Sequence, residues 1–149
     1  MHIPVKVDYA VRALVDLTRH RNDGTVHAWE IARRMAMPAP YCDQILHTLK
    51  MNGFTRTLRG PRGGHSLAMN PEDINLSMVM AAFNETGTIV GCLANVDVCV
   101  LSDVCTQRSI WQTVEEAVHE ILDRTTIADL VQPIISVPVK ASKKVLQQA

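Results

Sequence analysis

Between His27 and Met69 the hydrophobic pattern changes period, from helical to alternating, and this change restricts the fold more than any other feature of the chain. Ile31, Ala32 and Met35 mark the buried stripe of a helix over His27–Met37, and Ile45, Leu46, Leu49 and Met51 that of a second over Pro40–Asn52. Met37-Pro38-Ala39-Pro40 breaks the chain between them, because a proline disfavours helix at the residue before it. Gly53 then stops the second helix. Two short helices joined by a tight turn make a helix-turn-helix pattern. Phe54–Arg59 alternates like a strand, Gly60-Pro61-Arg62-Gly63-Gly64 supplies a flexible basic tip, and His65–Met69 returns. A basic hairpin directly after a helix-turn-helix is the wing of a winged-helix domain.

The flanking segments fit around that unit. From Asp8, the residues Val11, Ala13, Leu14, Val15, Leu17 and Thr18 form one helical face, with Arg12, Asp16 and Arg19 expected opposite and Asn22-Asp23-Gly24 as the stop. Asn70-Pro71-Glu72-Asp73 reads as a helix start, with proline and acids in the first turn, for a helix running through Met78, Val79 and Phe83 to about Asn84. Residues 87–107 are expected to be irregular. From Ser109 to Thr125 a helix returns with Ile110, Trp111, Val114, Ala117, Val118, Ile121 and Leu122 in one wide apolar band. A helix this apolar beyond a complete small domain needs a partner, and self-association is the simplest. The expected architecture is mainly α with a small β-wing: a winged helix-turn-helix domain over 1–86, a cysteine-containing loop over 87–107, a long C-terminal dimerisation helix over 108–131 and a tail without helical period over 132–149.

The charge distribution suits a nucleic-acid partner even though the formal net charge is zero. Residues 1–67 carry a balance of +5 and residues 68–149 one of −5, the asymmetry expected when one half faces phosphates. No apolar run approaches the roughly 18 residues that span a bilayer. The N-terminus lacks the apolar region of a signal peptide, so a cytoplasmic protein with reduced thiols is expected. An enzyme is not expected: no nucleophile stands beside a general base in a motif, no paired carboxylates recur, and the glycines of the tip are flanked by strand rather than opening a helix.

A recognition helix brings its N-terminal side chains to base edges in the major groove. Here these are Tyr41, Cys42, Asp43 and Gln44, with His47 and Thr48 one turn on and Lys50 beyond. Gln44 has the groups to pair bidentately with adenine, and Asp43 to accept from cytosine N4. Cys42 is either a small packing residue or a thiol at the DNA face. Arg56, Arg59, Arg62 and His65 on the wing are candidates for phosphate or minor-groove contact, with double-stranded DNA as the partner.

Three of the four cysteines, Cys92, Cys99 and Cys105, stand with six and then five residues between them. That spacing matches neither the short pairs of structural zinc sites nor the ferredoxin run. A flexible loop with three soft thiols is suited to a metal or cluster, the alternative being three unrelated cysteines.

Three stretches resemble the Rrf family of bacterial winged-helix regulators: Asp8-Tyr9-Ala10-Val11-Arg12-Ala13-Leu14, the wing Arg59-Gly60-Pro61-Arg62-Gly63-Gly64-His65-Ser66-Leu67, and Pro71-Glu72-Asp73-Ile74. Trp111 and the run Leu122–Leu130 are similar to that family's dimerisation helix and its end. The family includes iron–sulfur regulators of the IscR, NsrR and RirA types. The resemblance therefore implies a homodimeric transcriptional regulator, holding a 2Fe-2S or 4Fe-4S cluster on Cys92, Cys99 and Cys105 and sensing redox state, nitric oxide or iron. The fourth ligand is distinctive. IscR-like members have a histidine where this chain has Arg108, whereas NsrR-like members take a carboxylate from the partner's first helix, and Asp8 matches that position. Asp8 is equally suited to be a helix N-cap. The alternative function is a cluster-free winged-helix regulator sensing through thiol oxidation or a small ligand.

Overall fold

The computed structural model describes residues 2–131, so the tail expected over 132–149 lies outside the described residues. The elements run α1 (Val5–Arg19), α2 (Ala28–Arg34), α3 (Ala39–Met51), β1 (Thr55–Leu58), β2 (Gly64–Leu67), α4 (Leu76–Ala82), α5 (Gly91–Ala94), α6 (Arg108–Arg124) and α7 (Ile127–Val131). This is the expected helical fold with one two-stranded antiparallel wing.

Helix α1 starts earlier than its apolar pattern suggests. Pro4 is its N-cap residue, and the Pro4 carbonyl accepts from the backbone N–H of Val7 and of Asp8. Asp8 is therefore an acid inside the first turn, favourable to the helix dipole, and not a cap. The face of α1 also differs from expectation at Asp16, which is not on the solvent side but 1% exposed. The cause is α2: Arg34 donates from Nε to Asp16 Oδ1 at 2.8 Å and from Nη2 to Asp16 Oδ2 at 2.7 Å. This fork pins α2 to α1 and holds the Arg34 guanidinium above its ordinary pKa, chiefly through the Asp16 hydrogen bonds.

Helix α2 ends sooner than Met37 because Ala36 turns left-handed at φ 51°. Helix α3 buries Cys42, Ile45, Leu46 and Leu49 against α1 and α2. Met51, expected inward, is 71% exposed, because the helix is ending there and the chain turns through Gly53 into the wing. In the wing Thr55 pairs with Leu67, Arg56 with Ser66, Thr57 with His65 and Leu58 with Gly64. The loop before α2 joins it: Val26 N–H donates to the His65 carbonyl at 2.9 Å, and His65 N–H to the Val26 carbonyl at 2.8 Å. Gly64 lies at this junction at φ +147°, where a Cβ would sit 2.7 Å from the Val26 carbonyl oxygen.

The helix expected to start at Asn70 does not start there. Pro71–Asp73 is a single 3-10 turn, Ile74 is extended, and α4 begins after Asn75, whose side chain accepts from Met78 N–H at 2.8 Å. Segment 108–131 holds two helices, broken at Thr125-Thr126. Thr126 caps α7 through Asp129, whose carboxyl is held below its usual range by the Thr126 backbone and hydroxyl donors. Ile127 N–H donates to the Ile74 carbonyl at 2.8 Å, and α7 packs on α1. Leu122, Ile127 and Ile74 thus belong to the same core as Leu14, Leu17, Ile31, Leu46 and Leu49. Each such side chain contributes about 1.5–3 kcal/mol by leaving water.

Candidate functional site

Burying Cys42, Ile45, Leu46 and Leu49 leaves α3 with Asp43, Gln44, His47 and Lys50 exposed, the row a recognition helix requires. Thr48 is half-buried, and its hydroxyl already donates to the Gln44 carbonyl at 3.2 Å. Tyr41 is half-buried too, its ring set edge-on to that of Tyr9 with centroids 5.5 Å apart. Cys42 does not belong to the row, a correction to its place among the candidate base contacts. Its side chain is fully buried, its thiol donates to the Ala28 carbonyl at 3.5 Å, and burial, aided by the charges of Asp43 and Asp16, pushes its pKa up to about 11. It is the packing residue between the first turns of α2 and α3.

Arg12 braces this unit from behind. Its guanidinium donates to the Met35 carbonyl at 3.2 Å, lies over the Tyr9 ring at 5.4 Å from its centroid, and meets Asp8 at 2.7 Å. The turn after α2 and the first turn of α3 therefore both lean on the N-terminal turns of α1. This brace was invisible in the sequence, where Asp8 read as a cluster ligand or a helix N-cap and Arg12 only as a residue opposite the apolar face of α1.

On the wing, Arg59 and Arg62 are exposed at the tip, which is tied down by Thr25 Oγ1 donating to the Arg62 carbonyl at 2.9 Å. His65 is half-buried, and burial chiefly lowers its pKa, with the positive charges of Lys50 and His27 acting the same way and Asp43 opposing. Those neighbours place His65 on the side of the sheet that faces α3 and the start of α2. Strand alternation sends Arg56 to the other side, where its Nε donates to Ser66 Oγ at 3.1 Å and it lines a cleft with Arg21. The structure thus brings Asp43, Gln44, His47, Lys50 and His65 together and separates Arg56 from them.

Cys92 lies in α5, Cys99 just past the 3-10 turn Val96–Val98, and Cys105 just before α6; all three are half-buried free thiols. The segment is less irregular than its sequence suggests, but it does not gather its thiols. Among the described residues no three His, Cys, Asp or Glu side chains stand close enough to hold a metal ion, and Asp8 is with Arg12 instead. The donor chemistry of the segment, three soft thiolates, fits an iron–sulfur cluster; the arrangement within one chain is not a ligand set. Arg108 Nε, three residues past Cys105, is buried with no hydrogen-bond partner among the described residues. Around these thiols Val98, Val100, Leu101 and Val104 are exposed, as are Ile110, Trp111 and Val114 on α6.

An exposed polar row on the second helix of a helix-turn-helix, flanked by a basic wing, defines a winged-helix DNA-binding protein. Comparison with known proteins narrows this further. Residues 3–133 match the Rrf2 family, described as an iron-dependent transcriptional regulator, and the chain belongs to that family. It is 30% identical over 131 residues to the transcriptional regulator IscR of Yersinia enterocolitica, covering 88% of this chain and 79% of that protein. Against IscR of Pectobacterium atrosepticum the identity is 29% over the same length. The solved structure of T. potens IscR is similar with a TM-score of 0.70 at 27% identity, covering 88% of this chain and 86% of that one. CymR, the global cysteine regulator of B. subtilis, shares the fold with a TM-score of 0.75 at 24% identity over 88% of this chain and 96% of that one. The chain is a transcriptional regulator of this type, and among its described residues no helix is long and apolar enough to cross a membrane.

Proposed function

We propose that the chain acts as a homodimeric, operator-binding regulator whose DNA affinity is set at the segment Cys92–Cys105. The observation that carries the DNA half is the exposed row Asp43, Gln44 and His47 beside His65 and the basic wing tip. Dimerisation is supported by the uncovered apolar face of α6, where Ile110 is 47% and Trp111 and Val114 each 39% exposed. Two winged domains in such a dimer reach two half-sites about 34 Å apart.

Cys92, Cys99 and Cys105, with Asp8 from a second copy, are the residues that would hold an iron–sulfur cluster, and the unpartnered Arg108 Nε offers a donor beside that negatively charged set. When bound, the cluster supplies iron and sulfide that react with nitric oxide or oxidants or respond to iron shortage. The chain's own part is mechanical. Asp8 holds Arg12 at 2.7 Å, and Arg12 holds the Met35 carbonyl and the Tyr9 ring against which Tyr41 packs. Drawing the Asp8 carboxylate elsewhere releases Arg12 from its ion pair and alters the brace behind the recognition helix. A coupling of 1–3 kcal/mol through such a joint changes affinity by roughly 5–150-fold.

A second reading, sensing by thiol oxidation without a cluster, is favoured by one observation: the three thiols are not gathered among the described residues. The test is protein purified without oxygen, examined for absorbance near 400 nm and for iron and sulfide, beside a salt-titrated duplex-binding assay. Brown protein with matching iron and sulfide, whose duplex affinity changes on nitric oxide treatment, supports the cluster. Colourless protein whose duplex affinity changes with peroxide and recovers with thiol reductant supports the second reading. Absence of duplex binding in every state removes the regulator reading itself.

A further inference from the structure

Helix α2 carries an uncovered face that the recognition row does not use. Trp29 is 57% exposed although it is the largest side chain in the helix-turn-helix. Arg33, one turn on, stacks its guanidinium over the indole at 5.7 Å from the ring centroid and makes no salt bridge among the described residues. The other sides of α2 are taken. Arg34 reaches back to Asp16 of α1, and the Ala28 carbonyl receives the Cys42 thiol of α3. At 3.6 residues per turn, positions 29 and 33 lie about 100° and 140° round from Ala28, while Arg34 lies about 240° round. Trp29 and Arg33 thus flank α2 on the side away from α1.

We propose that Trp29 and Arg33 form a second DNA contact, a clamp on the phosphate backbone at the edge of the groove that α3 enters. This rests on the DNA-binding reading and extends it to residues outside the recognition helix and wing. In a helix-turn-helix the first helix crosses the backbone, which is where α2 stands. The chemistry matches that partner. A guanidinium stacked on an indole keeps its N–H edge free for two phosphate oxygens, and stacking removes much of the rotamer freedom that binding would otherwise cost. The indole Nε1–H is a donor with no acceptor role, as a phosphate oxygen requires. The half of the chain that contains both residues carries the balance of +5, so the field around them attracts polyanions. Among the described residues no acid pairs with Arg33, and the Trp29–Arg33 pair sits on the helix next to α3.

The test uses the full chain and a pool of 30-base-pair duplexes of random sequence at low salt, because backbone contacts do not depend on sequence. Trp29 emission, defined as the difference between the parent and Trp29→Phe, is expected to be quenched on duplex addition. Arg33→Gln is expected to shallow the plot of log affinity against log salt by about one unit, the loss of one released counterion, and Arg33→Lys to restore the slope. Both side chains are exposed, so these variants keep the fold. If the parent binds duplex but Trp29 emission and the Arg33→Gln slope are unchanged, the clamp is wrong and the DNA-binding reading survives. If Trp29 emission shifts blue with protein concentration in the absence of DNA, the face belongs to a second copy and the proposal falls. If the parent binds no duplex at any salt, both readings fall together.

Discussion

The winged portion and the cysteine arm obey opposite rules. Around α1 to α4 and α7, apolar side chains are buried in one core and the buried carboxylate Asp16 has a bidentate partner. Between Cys92 and Val114, Val98, Val100, Leu101, Val104, Ile110, Trp111 and Val114 all face water, and the three thiols of Cys92, Cys99 and Cys105 are free. The first region is finished by a single chain. Among the described residues the second has the composition of an interior and the exposure of a surface, a face that a second copy would cover under the proposed function. A regulator of the proposed kind would keep a rigid reading head and make its responsive part conditional on assembly.

The contrast is broken most severely by attacking the finished half. Arg34→Ala strands the Asp16 carboxylate, 1% exposed, without its partner, and is expected to cost about 3–5 kcal/mol of stability, read as a fall in the thermal midpoint by calorimetry. Trp111→Ala should do the reverse: leave the thermal midpoint of the winged core nearly unchanged while weakening self-association by about 2 kcal/mol or more, read by sedimentation. Equal losses from both substitutions would erase the distinction between the regions. Gly64→Ala, which forces a Cβ against the Val26 carbonyl at a backbone angle L-residues avoid, is expected to cost about 1–3 kcal/mol and to loosen the wing, read by hydrogen exchange at the Val26 and His65 amides.

The smallest effect concerns pH. His65 has its pKa lowered in the free protein, so it is neutral there at and below its ordinary value of 6.5, down to its own lowered one. A nearby phosphate raises that pKa, so the complex binds more protons than its components and affinity rises as pH falls through this window. The expected gain is several-fold between about pH 7 and 5.5 by anisotropy, and His65→Gln should flatten it.

Much of this was legible in advance, for reasons that lie in particular residues. The helix-turn-helix and wing announce themselves because Pro38, Pro40, Gly53 and Gly60–Gly64 are punctuation whose effect is local. Asp16 misled because a charge at a helix position carries no mark of a partner eighteen residues away; Arg34 decides its burial. Asn70 misled because its Asn-Pro-acid run is good cap chemistry, yet Ile74 must be extended to pair with Ile127, so Asn75 caps the helix instead. Cys42 was undecided for the same kind of reason, since only the approach of Ala28 makes its site dry. The cysteine segment was legible as chemistry and not as geometry, because nothing local dictates where three sulfurs in a short-turned loop will lie.

Cys42 carries a last consequence for anyone who labels this protein. With burial pushing its thiol pKa up to about 11, almost none of it is the reactive thiolate near neutral pH, and the sulfur is walled off as well. Alkylating reagents should therefore divide the four cysteines into three reporters and one spectator. In mass spectrometry the spectator becomes an internal control: its labelling signals unfolding, and any change confined to the other three is a genuine signal rather than damage.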